Sequence, residues 1–254
     1  MQRTTLFLLG LLLACSGPKQ SSIEETENSI YPPALEKILT KHGSLDTWKK
    51  MKSLSYEIVG EEMNEKQMIH LHDRRERIEA ANFVTGYDGE NIWLETDTTY
   101  SGDPVFYHNL MFYFYAMPFV LADEGIIYSE ADELSFEDKS YPGIKISYNA
   151  GVGMSAQDEY FLHYDPETYQ MEWLGYTVTY FSKEKSPDIR WIRYNDWQTL
   201  EELILPKSMT WYKSEEGVIT EPKGAAEFEK VLISESTFDD SLFKKTKGAV
   251  VVEQ

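Results

Sequence analysis

The stretch Ser53-Leu54-Ser55-Tyr56-Glu57-Ile58 alternates polar and apolar side chains, and it opens the part of the chain where this period of two recurs. Successive side chains of a β-strand point to opposite faces of a sheet, so the alternation predicts strands with one buried face. The chain is therefore predicted to be mainly β. Later stretches repeat the pattern: Ile144, Ile146 and Tyr148 alternate with Lys145 and Ser147, and Leu203, Leu205, Met209 and Trp211 share one phase.

Turn-forming residues separate the predicted strands at short spacing. Consecutive strands that are joined by short turns pair with each other, so these signals predict an antiparallel sheet. The turns are expected at Asp88-Gly89-Glu90-Asn91, Glu137-Asp138-Lys139, Asp165-Pro166-Glu167-Thr168, Ser182 to Pro187 and Glu215-Glu216-Gly217.

One segment breaks the alternation, because residues 106–117 (FYHNLMFYFYAM) have no polar face at either period. A segment that is apolar all round is usually buried all round. Asp103-Pro104 before it and Pro118 after it are typical of the start and end of a helix, so we predict a helix packed on the sheet. The longer apolar run 105–121 includes His108 and Asn109 and is shorter than the roughly 20 apolar residues of a membrane span, so we expect it to be buried.

The N-terminus has the layout of a bacterial lipoprotein precursor. Arg3 is followed by an apolar run that ends in Leu-Leu-Ala directly before Cys15, the single cysteine of the chain. A basic start, an apolar stretch and small residues at the cleavage site are typical of a secretory signal peptide, and Leu-Leu-Ala-Cys resembles the lipoprotein box. We expect residues 1–14 to be removed and Cys15 to carry the lipid that anchors the protein to a membrane. The alternative is cleavage elsewhere, which would leave Cys15 as a free thiol.

The rest of the chain divides into a tether, one domain and a tail. Residues 15–31 are small, polar or acidic and have no period, which predicts a flexible tether behind the lipidated cysteine. Ser29 and Pro32-Pro33 predict the start of a helix that ends at Gly43 and buries one apolar face. We expect a single domain over residues 32–245 and a C-terminal tail over residues 246–254.

Composition indicates a globular protein that does not bind nucleic acid. The 254 residues are 42% hydrophobic and 14% aromatic, which is enough for a large core. The formal net charge of −19 repels nucleic acid, so we expect no nucleic-acid partner. The sequence contains no signal for a protein partner.

Two enzyme motifs were considered, and neither has the structural context that its chemistry needs. Gly151-Val152-Gly153-Met154-Ser155-Ala156 matches a dinucleotide fingerprint, but a strand is predicted after it where a helix N-terminus is needed. Ser155 does not lie in a nucleophile elbow, and an acylated Cys15 would not be a nucleophile. We therefore predict no cofactor and no catalytic residue.

Histidines and acids give no metal site. His70 and His72 would project to one face of a strand with Asp73 pointing the other way, and the remaining histidines lack the spacing of a third ligand. The acid pairs Asp123/Glu124 and Asp239/Asp240 are adjacent in sequence, and we interpret them as surface charge.

The aromatic content has two interpretations. Twelve Phe, six Trp and seventeen Tyr residues could fill the core between a sheet and a covering helix. Without a family resemblance, the sequence favours this interpretation. Alternatively, aromatic side chains could line an apolar ligand cavity, with tyrosine hydroxyls as its few polar groups.

The order of these features resembles the outer-membrane lipoprotein carrier family, the LolA/LolB-like proteins. An uncharacterised family of bacterial envelope lipoproteins is similar too, in the segments Tyr107 to Tyr113 and Tyr164 to Tyr169. Together the similar features cover most of residues 34–245. The carrier-like features are the opening Ile38 to Trp48 with Met51-Lys52-Ser53-Leu54, the turn Tyr87 to Trp93, Asp165-Pro166-Glu167-Thr168 and Leu205-Pro206-Lys207.

The resemblance implies an incurved antiparallel sheet, or half-barrel, whose apolar concave face is covered by helices and admits acyl chains. The apolar segment 105–121 would be its lid or plug. Cys15 would place the chain nearer to the anchored receptor of that family than to its soluble carrier. The ligand-binding residues that this implies all lie in the apolar segment: Phe106, Tyr107, Met111, Phe112, Phe114, Tyr115 and Met117.

We therefore expect a non-catalytic envelope lipoprotein that binds a lipid or another apolar ligand. Ser16 behind Cys15 resembles an outer-membrane sorting residue, which suggests the periplasmic face of the outer membrane. One alternative is an envelope hydrolase whose site brings together His108, His163 and acids. Another is a structural or complex-forming lipoprotein with a filled core.

Overall fold

The computed structural model describes residues 30–60, 64–96, 100–149 and 157–253. Thirteen strands form one antiparallel sheet. Their bounds are β1 Ser53–Val59, β2 Asn64–His70, β3 Glu76–Ala80, β4 Phe83–Tyr87, β5 Ile92–Thr96, β6 Ile126–Phe136, β7 Lys139–Tyr148, β8 Tyr160–Tyr164, β9 Met171–Tyr176, β10 Arg190–Leu200, β11 Leu203–Glu215, β12 Val218–Ser234 and β13 Val250–Val251.

The strand order across the sheet is β13-β5-β4-β3-β2-β1-β12-β11-β10-β9-β8-β7-β6. Two meanders, β1 to β5 and β6 to β12, are joined side by side where β1 pairs with β12. Within the described residues the sheet does not close, because β13 and β6 lie at its two edges. The predicted mainly β class and the incurved half-barrel are confirmed, and each predicted turn joins two paired strands.

The apolar positions of β1 are buried as the period of two predicts, since Leu54, Tyr56 and Ile58 are at most 1% exposed. The polar position between them, Ser55, is only 7% exposed, so β1 does not expose its other face to water at this position. At the centre of the sheet both faces are buried, because Trp173 and its neighbour Leu174 in β9 are both fully buried. Leu174 belongs to the main core, whereas Trp173 belongs to a smaller aromatic cluster on the opposite face.

Between Ile30 and the first strand, the chain forms two helices, α1 (Pro33–Lys41) and α2 (Leu45–Lys50). Helix α1 buries Leu35, Ile38 and Leu39, as its apolar face predicts. Its N-cap is Pro32, which makes no side-chain hydrogen bond. Ser29 itself lies outside the described residues, as do Cys15 and the Gly151 to Ala156 motif.

The apolar segment is helical, but it is not one helix. It contains α3 (Pro104–Tyr107), α4 (Leu110–Tyr115) and a 3-10 helix, Phe119–Ala122, and we call residues 100–125 the covering segment. The side chain of Asp103 accepts hydrogen bonds from the backbone N–H groups of Val105 and Phe106, at 2.9 and 3.1 Å, and so caps α3. The single predicted helix is wrong, because Asn109 adopts a left-handed conformation (φ 59°) between α3 and α4.

Topology explains why the covering segment is apolar on all sides. It connects β5, next to one edge of the sheet, with β6, at the other edge, so the chain must cross the sheet between them. Residues that cross an incurved sheet contact side chains from many strands. A segment that is buried on all sides in this way has no polar face.

The predicted C-terminal tail is partly wrong. Val250 and Val251 form β13, which pairs with β5, and Ala249 is buried. A second 3-10 helix, Asp240–Phe243, precedes them and buries Phe243. Residues 246–251 therefore contribute to the edge of the sheet.

Candidate functional site

The covering segment packs on the middle of the sheet through aromatic side chains. The Tyr115 ring lies 4.6 Å from that of Tyr56 in β1 and 4.5 Å from that of Phe228 in β12. The Phe114 ring lies 4.9 Å from that of Tyr176 in β9. These contacts reach both meanders, so the segment fills the central part of the concave face.

The seven residues that we predicted to bind a ligand divide into two groups. Five of them are core residues at most 4% exposed: Met111, Phe112, Phe114, Tyr115 and Met117. Phe106 lines a cavity beside the segment, and the Tyr107 hydroxyl donates a hydrogen bond to Glu65 at 2.7 Å.

The cavity has a volume of about 550 Å³ and is partly open to solvent. It lies between the covering segment, the β2–β3 turn and the ends of β7 and β8, because these elements supply its walls. Its apolar and aromatic walls include Ile92, Phe106, Leu110, Tyr113, Tyr148 and Tyr160. Sequence reasoning did not assign a binding role to Tyr148 or Tyr160, although the alternation of β7 places Tyr148 in its buried phase.

An ion pair forms the polar side of the cavity. Arg74 Nη2 lies 2.7 Å from Asp123 Oδ2, and the Arg74 guanidinium stacks over the Phe112 ring at 4.8 Å. Partial removal from water raises the pKa of Asp123, and the ion pair with Arg74 opposes this change. The interpretation of Asp123 as plain surface charge is therefore wrong. No local signal links Arg74 and Asp123, which are 49 residues apart.

Tyrosine hydroxyls supply half of the remaining polar groups. Tyr113, Tyr148 and Tyr160 are among the tyrosines that line the cavity. Removal from water raises the pKa of Tyr148 and Tyr160, and the nearby carboxylate of Asp158 adds to this effect. Both side chains are therefore neutral at physiological pH.

The break between α3 and α4 is held by a buried carboxylate. Glu76 in β3 is 1% exposed, and its Oε2 accepts hydrogen bonds from the Asn109 backbone N–H at 2.9 Å and from His108 Nδ1–H at 3.1 Å. The Asn109 side-chain amide donates to His108 Nε2 at 2.9 Å and to the Arg74 carbonyl at 3.1 Å. In this arrangement His108 Nδ1 is a donor and Nε2 an acceptor.

A second carboxylate supports α3. Glu65 Oε1 accepts hydrogen bonds from the hydroxyl of Tyr107 at 2.7 Å and from the amide of Gln67 at 2.6 Å. Burial raises the pKa of Glu65, whereas these two hydrogen bonds lower it. The covering segment is therefore attached to β2 and β3 by hydrogen bonds as well as by apolar contacts.

The histidines do not form one site. His108 lines the cavity, whereas the His163 ring lies 5.6 Å from Trp191 in the aromatic cluster of the opposite face. The fully buried His42 donates from Nδ1 to the Ile204 carbonyl at 3.0 Å and accepts the Met171 N–H at Nε2, 3.2 Å away. Burial lowers the pKa of His42 to about 4. The cluster that the hydrolase hypothesis needs, with His108 and His163 together, is not formed.

The β2–β3 turn shows that the predicted orientation of Asp73 is wrong. Asp73 does not point away from the histidines, because its Oδ1 lies 2.9 Å from His70 Nδ1. The described residues contain no group of three or more His, Cys, Asp or Glu side chains arranged to hold a metal ion. Among the same residues, no helix is both long and apolar enough to cross a membrane.

The interpretation of the second acid pair also changes. Asp239 accepts hydrogen bonds from the backbone N–H and hydroxyl of Ser241 and caps the last 3-10 helix. Asp240 pairs with Arg75 at 2.9 Å. Both acids are exposed, and both also hold the C-terminal part of the domain in place.

Comparison with known proteins gives one family and several similar structures. Residues 99–216 match a family described as a family of unknown function (DUF6503). This range contains the covering segment and most of the cavity wall. A comparison with curated proteins finds no match.

Three solved structures illustrate the similarity. A LolA superfamily protein from Nitrosomonas europaea has 9% identity and a TM-score of 0.50, with 83% of this chain and 97% of that chain covered. A DUF1329 family protein from Desulfovibrio piger has 8% identity and a TM-score of 0.49, with coverage of 83% and 95%. A putative outer membrane lipoprotein-sorting protein domain from Vibrio parahaemolyticus has 6% identity and a TM-score of 0.42, with coverage of 78% and 93%.

At these identities the likeness concerns the fold alone. The first of the three structures supports the resemblance that the order of sequence features predicted. This protein, with its open, incurved antiparallel sheet and helical covering segment, therefore has a LolA-like fold.

Proposed function

We propose that this protein binds the apolar chain of a lipid or similar ligand in the cavity beside the covering segment, without catalysing a reaction on it. The cavity itself carries the proposal. Its volume of about 550 Å³ lies within the roughly 300–1,000 Å³ that is usual for small-molecule sites. Its walls are mainly aromatic and aliphatic, so an acyl chain would gain free energy by leaving water.

The two groups of predicted ligand-binding residues have different parts in this proposal. Phe106 would contact the ligand directly. The five core residues and Tyr107 would form the packed wall behind the cavity, and they would reach a ligand only if α3 and α4 moved away from the sheet. The LolA-like fold supports an apolar ligand, because the carriers that this chain resembles hold acyl chains under helices.

We further propose that the protein works as an anchored envelope lipoprotein. Cys15 would carry the lipid, residues 16–31 would be the tether, and the domain would stand at the periplasmic face of the outer membrane. The lipoprotein box and Ser16 support this location. An apolar cavity on a tethered domain is suited to holding lipid near a membrane surface.

The proposal is tested by filling the cavity. Leu110 lines the cavity, so Leu110→Trp should reduce the amount of lipid that co-purifies with the protein, measured by native mass spectrometry. Leu232→Trp is the matched control, because Leu232 is 70% exposed on β12 and does not line the cavity. Lipid retained equally by both variants, or absent from the wild-type protein, would contradict the proposal.

A further inference from the structure

The charges around the cavity are unevenly distributed. Its described lining residues include four carboxylates, those of Asp73, Asp123, Glu124 and Asp158, and a single guanidinium, that of Arg74. Asp73 is paired with Arg75 at 2.9 Å, and Asp123 is paired with Arg74. Glu124 is exposed at the cavity and has no ion-pair or hydrogen-bond partner among the described residues. The potential at the cavity is therefore negative and opposes an anionic ligand.

One residue of the cavity wall has an unpaired acceptor atom. Asn109 lines the cavity and is 4% exposed, and its side-chain oxygen is buried without a hydrogen-bond partner among the described residues. Both hydrogens of its amide nitrogen are already used, one by the Arg74 carbonyl and one by His108. A buried acceptor without a donor carries a free-energy cost that a donor from a ligand would remove.

Aromatic rings lie beside the charged groups of the cavity. Arg74 already places its guanidinium 4.8 Å from the centre of the Phe112 ring and 5.8 Å from that of Tyr113. Its Nη2 atom pairs with Asp123, whereas its Nη1 atom has no hydrogen-bond partner among the described residues. Tyr148 and Tyr160 present further rings to the cavity. Clustered aromatic rings with nearby carboxylates are the surroundings that bind ammonium groups well.

We propose that the cavity selects amphiphiles whose polar group is cationic, an ammonium group above all, over amphiphiles with an anionic polar group. This proposal rests on the proposed function, because it names the polar end of the ligand whose apolar chain the cavity holds. The ammonium group would lie near Glu124 and the tyrosine rings, and Asn109 would accept a hydrogen bond from an ammonium that carries hydrogens. The apolar chain would lie along Phe106 and Leu110.

The test uses three amphiphiles with the same ten-carbon chain, below their micelle concentrations. Decyltrimethylammonium, decyl maltoside and decyl sulfate are titrated into the Cys15→Ser protein by calorimetry at physiological salt. We expect the ammonium compound to bind about tenfold more tightly than the sulfate, with the neutral maltoside in between. Equal affinities, or tighter binding of the maltoside or the sulfate, would overturn the inference.

Variants separate the cavity from the acidic surface as a whole. Glu124→Gln should lower the preference for ammonium over sulfate by about threefold, and Glu130→Gln should leave it unchanged, because Glu130 is exposed on β6 outside the cavity. Leu110→Trp should abolish tight binding of the ammonium compound. Binding that survives Leu110→Trp would be surface attraction and would refute the inference. Failure of all three compounds to bind the wild-type protein would refute the proposed function instead.

Discussion

His163→Asn should remove part of the acid sensitivity of the fold. His163 is 2% exposed, and its Nδ1–H donates a hydrogen bond to the Tyr141 carbonyl at 3.2 Å. Burial lowers the pKa of His163 from 6.5 to about 4, although the hydrogen bond opposes this change. The asparagine amide can replace the Nδ1–H donor but cannot be protonated in this range.

The direction follows from proton linkage. As the pH falls below 6.5, the unfolded chain binds a proton at His163 before the folded chain does, so the free energy of unfolding decreases. The stabilisation is complete above pH 6.5 and is lost as the pH falls to about 4. One pKa unit corresponds to about 1.4 kcal/mol, so the loss is about 2 kcal/mol at pH 5 and about 3 kcal/mol at the acid limit.

The assay is urea unfolding of the Cys15→Ser protein at pH 7 and pH 5, followed by tryptophan fluorescence. The free energy of unfolding of the parent should fall by about 2 kcal/mol more than that of His163→Asn over this interval. Other titrating groups are the same in both proteins, including Glu65, whose raised pKa acts in the opposite direction. The difference between the two proteins therefore isolates His163.

Ile219→Val is the matched control. Ile219 lies in the same aromatic cluster on the face opposite the cavity, so its truncation should cost about 1 kcal/mol at both pH values and leave the pH dependence unchanged. If the parent and His163→Asn lose the same free energy between pH 7 and pH 5, His163 is not buried in its neutral form and the reasoning is refuted.

Two further variants test the junction of α1 with the sheet and the membrane anchor. Gly43→Ala should destabilise the fold by more than about 2 kcal/mol in urea unfolding, because Gly43 has a φ of 107° and a Cβ there would overlap the Glu202 carbonyl oxygen. Gly217→Ala, at a φ of 82° with open space around it, should cost only about 1 kcal/mol, and equal costs would show that the clash at Gly43 is relieved. Cys15→Ser should release a folded protein into the soluble fraction with ligand binding intact and function lost by misplacement, and a variant that stays with the membrane would contradict lipidation of Cys15.

Much of the fold could be predicted because its signals are local. The alternation in β1 and the turns between paired strands depend on a few consecutive residues, and backbone geometry converts them directly into structure. The Asp103 cap of α3 is local in the same sense. The incurved half-barrel with a covering segment was not among these local predictions, because it was implied by the resemblance to the carrier family.

The cavity could not be predicted in this way, because its parts come together only through the sheet. Arg74 meets Asp123 across 49 residues, and Glu76 meets Asn109 across 33. The contact with Glu76 sets the break between α3 and α4, which the continuous apolar pattern conceals. Likewise His163 looked equivalent to His108 until strand pairing placed them on opposite faces.

The sequence by itself determined which residues leave water: the alternating strand positions and the whole apolar covering segment. Hydrophobic burial depends on side-chain type and period, and both can be read along the chain. Only the tertiary structure decided where the covering segment leaves space unfilled. That space depends on how an open sheet curves around a segment that must cross it from β5 to β6, and so on pairing between distant strands.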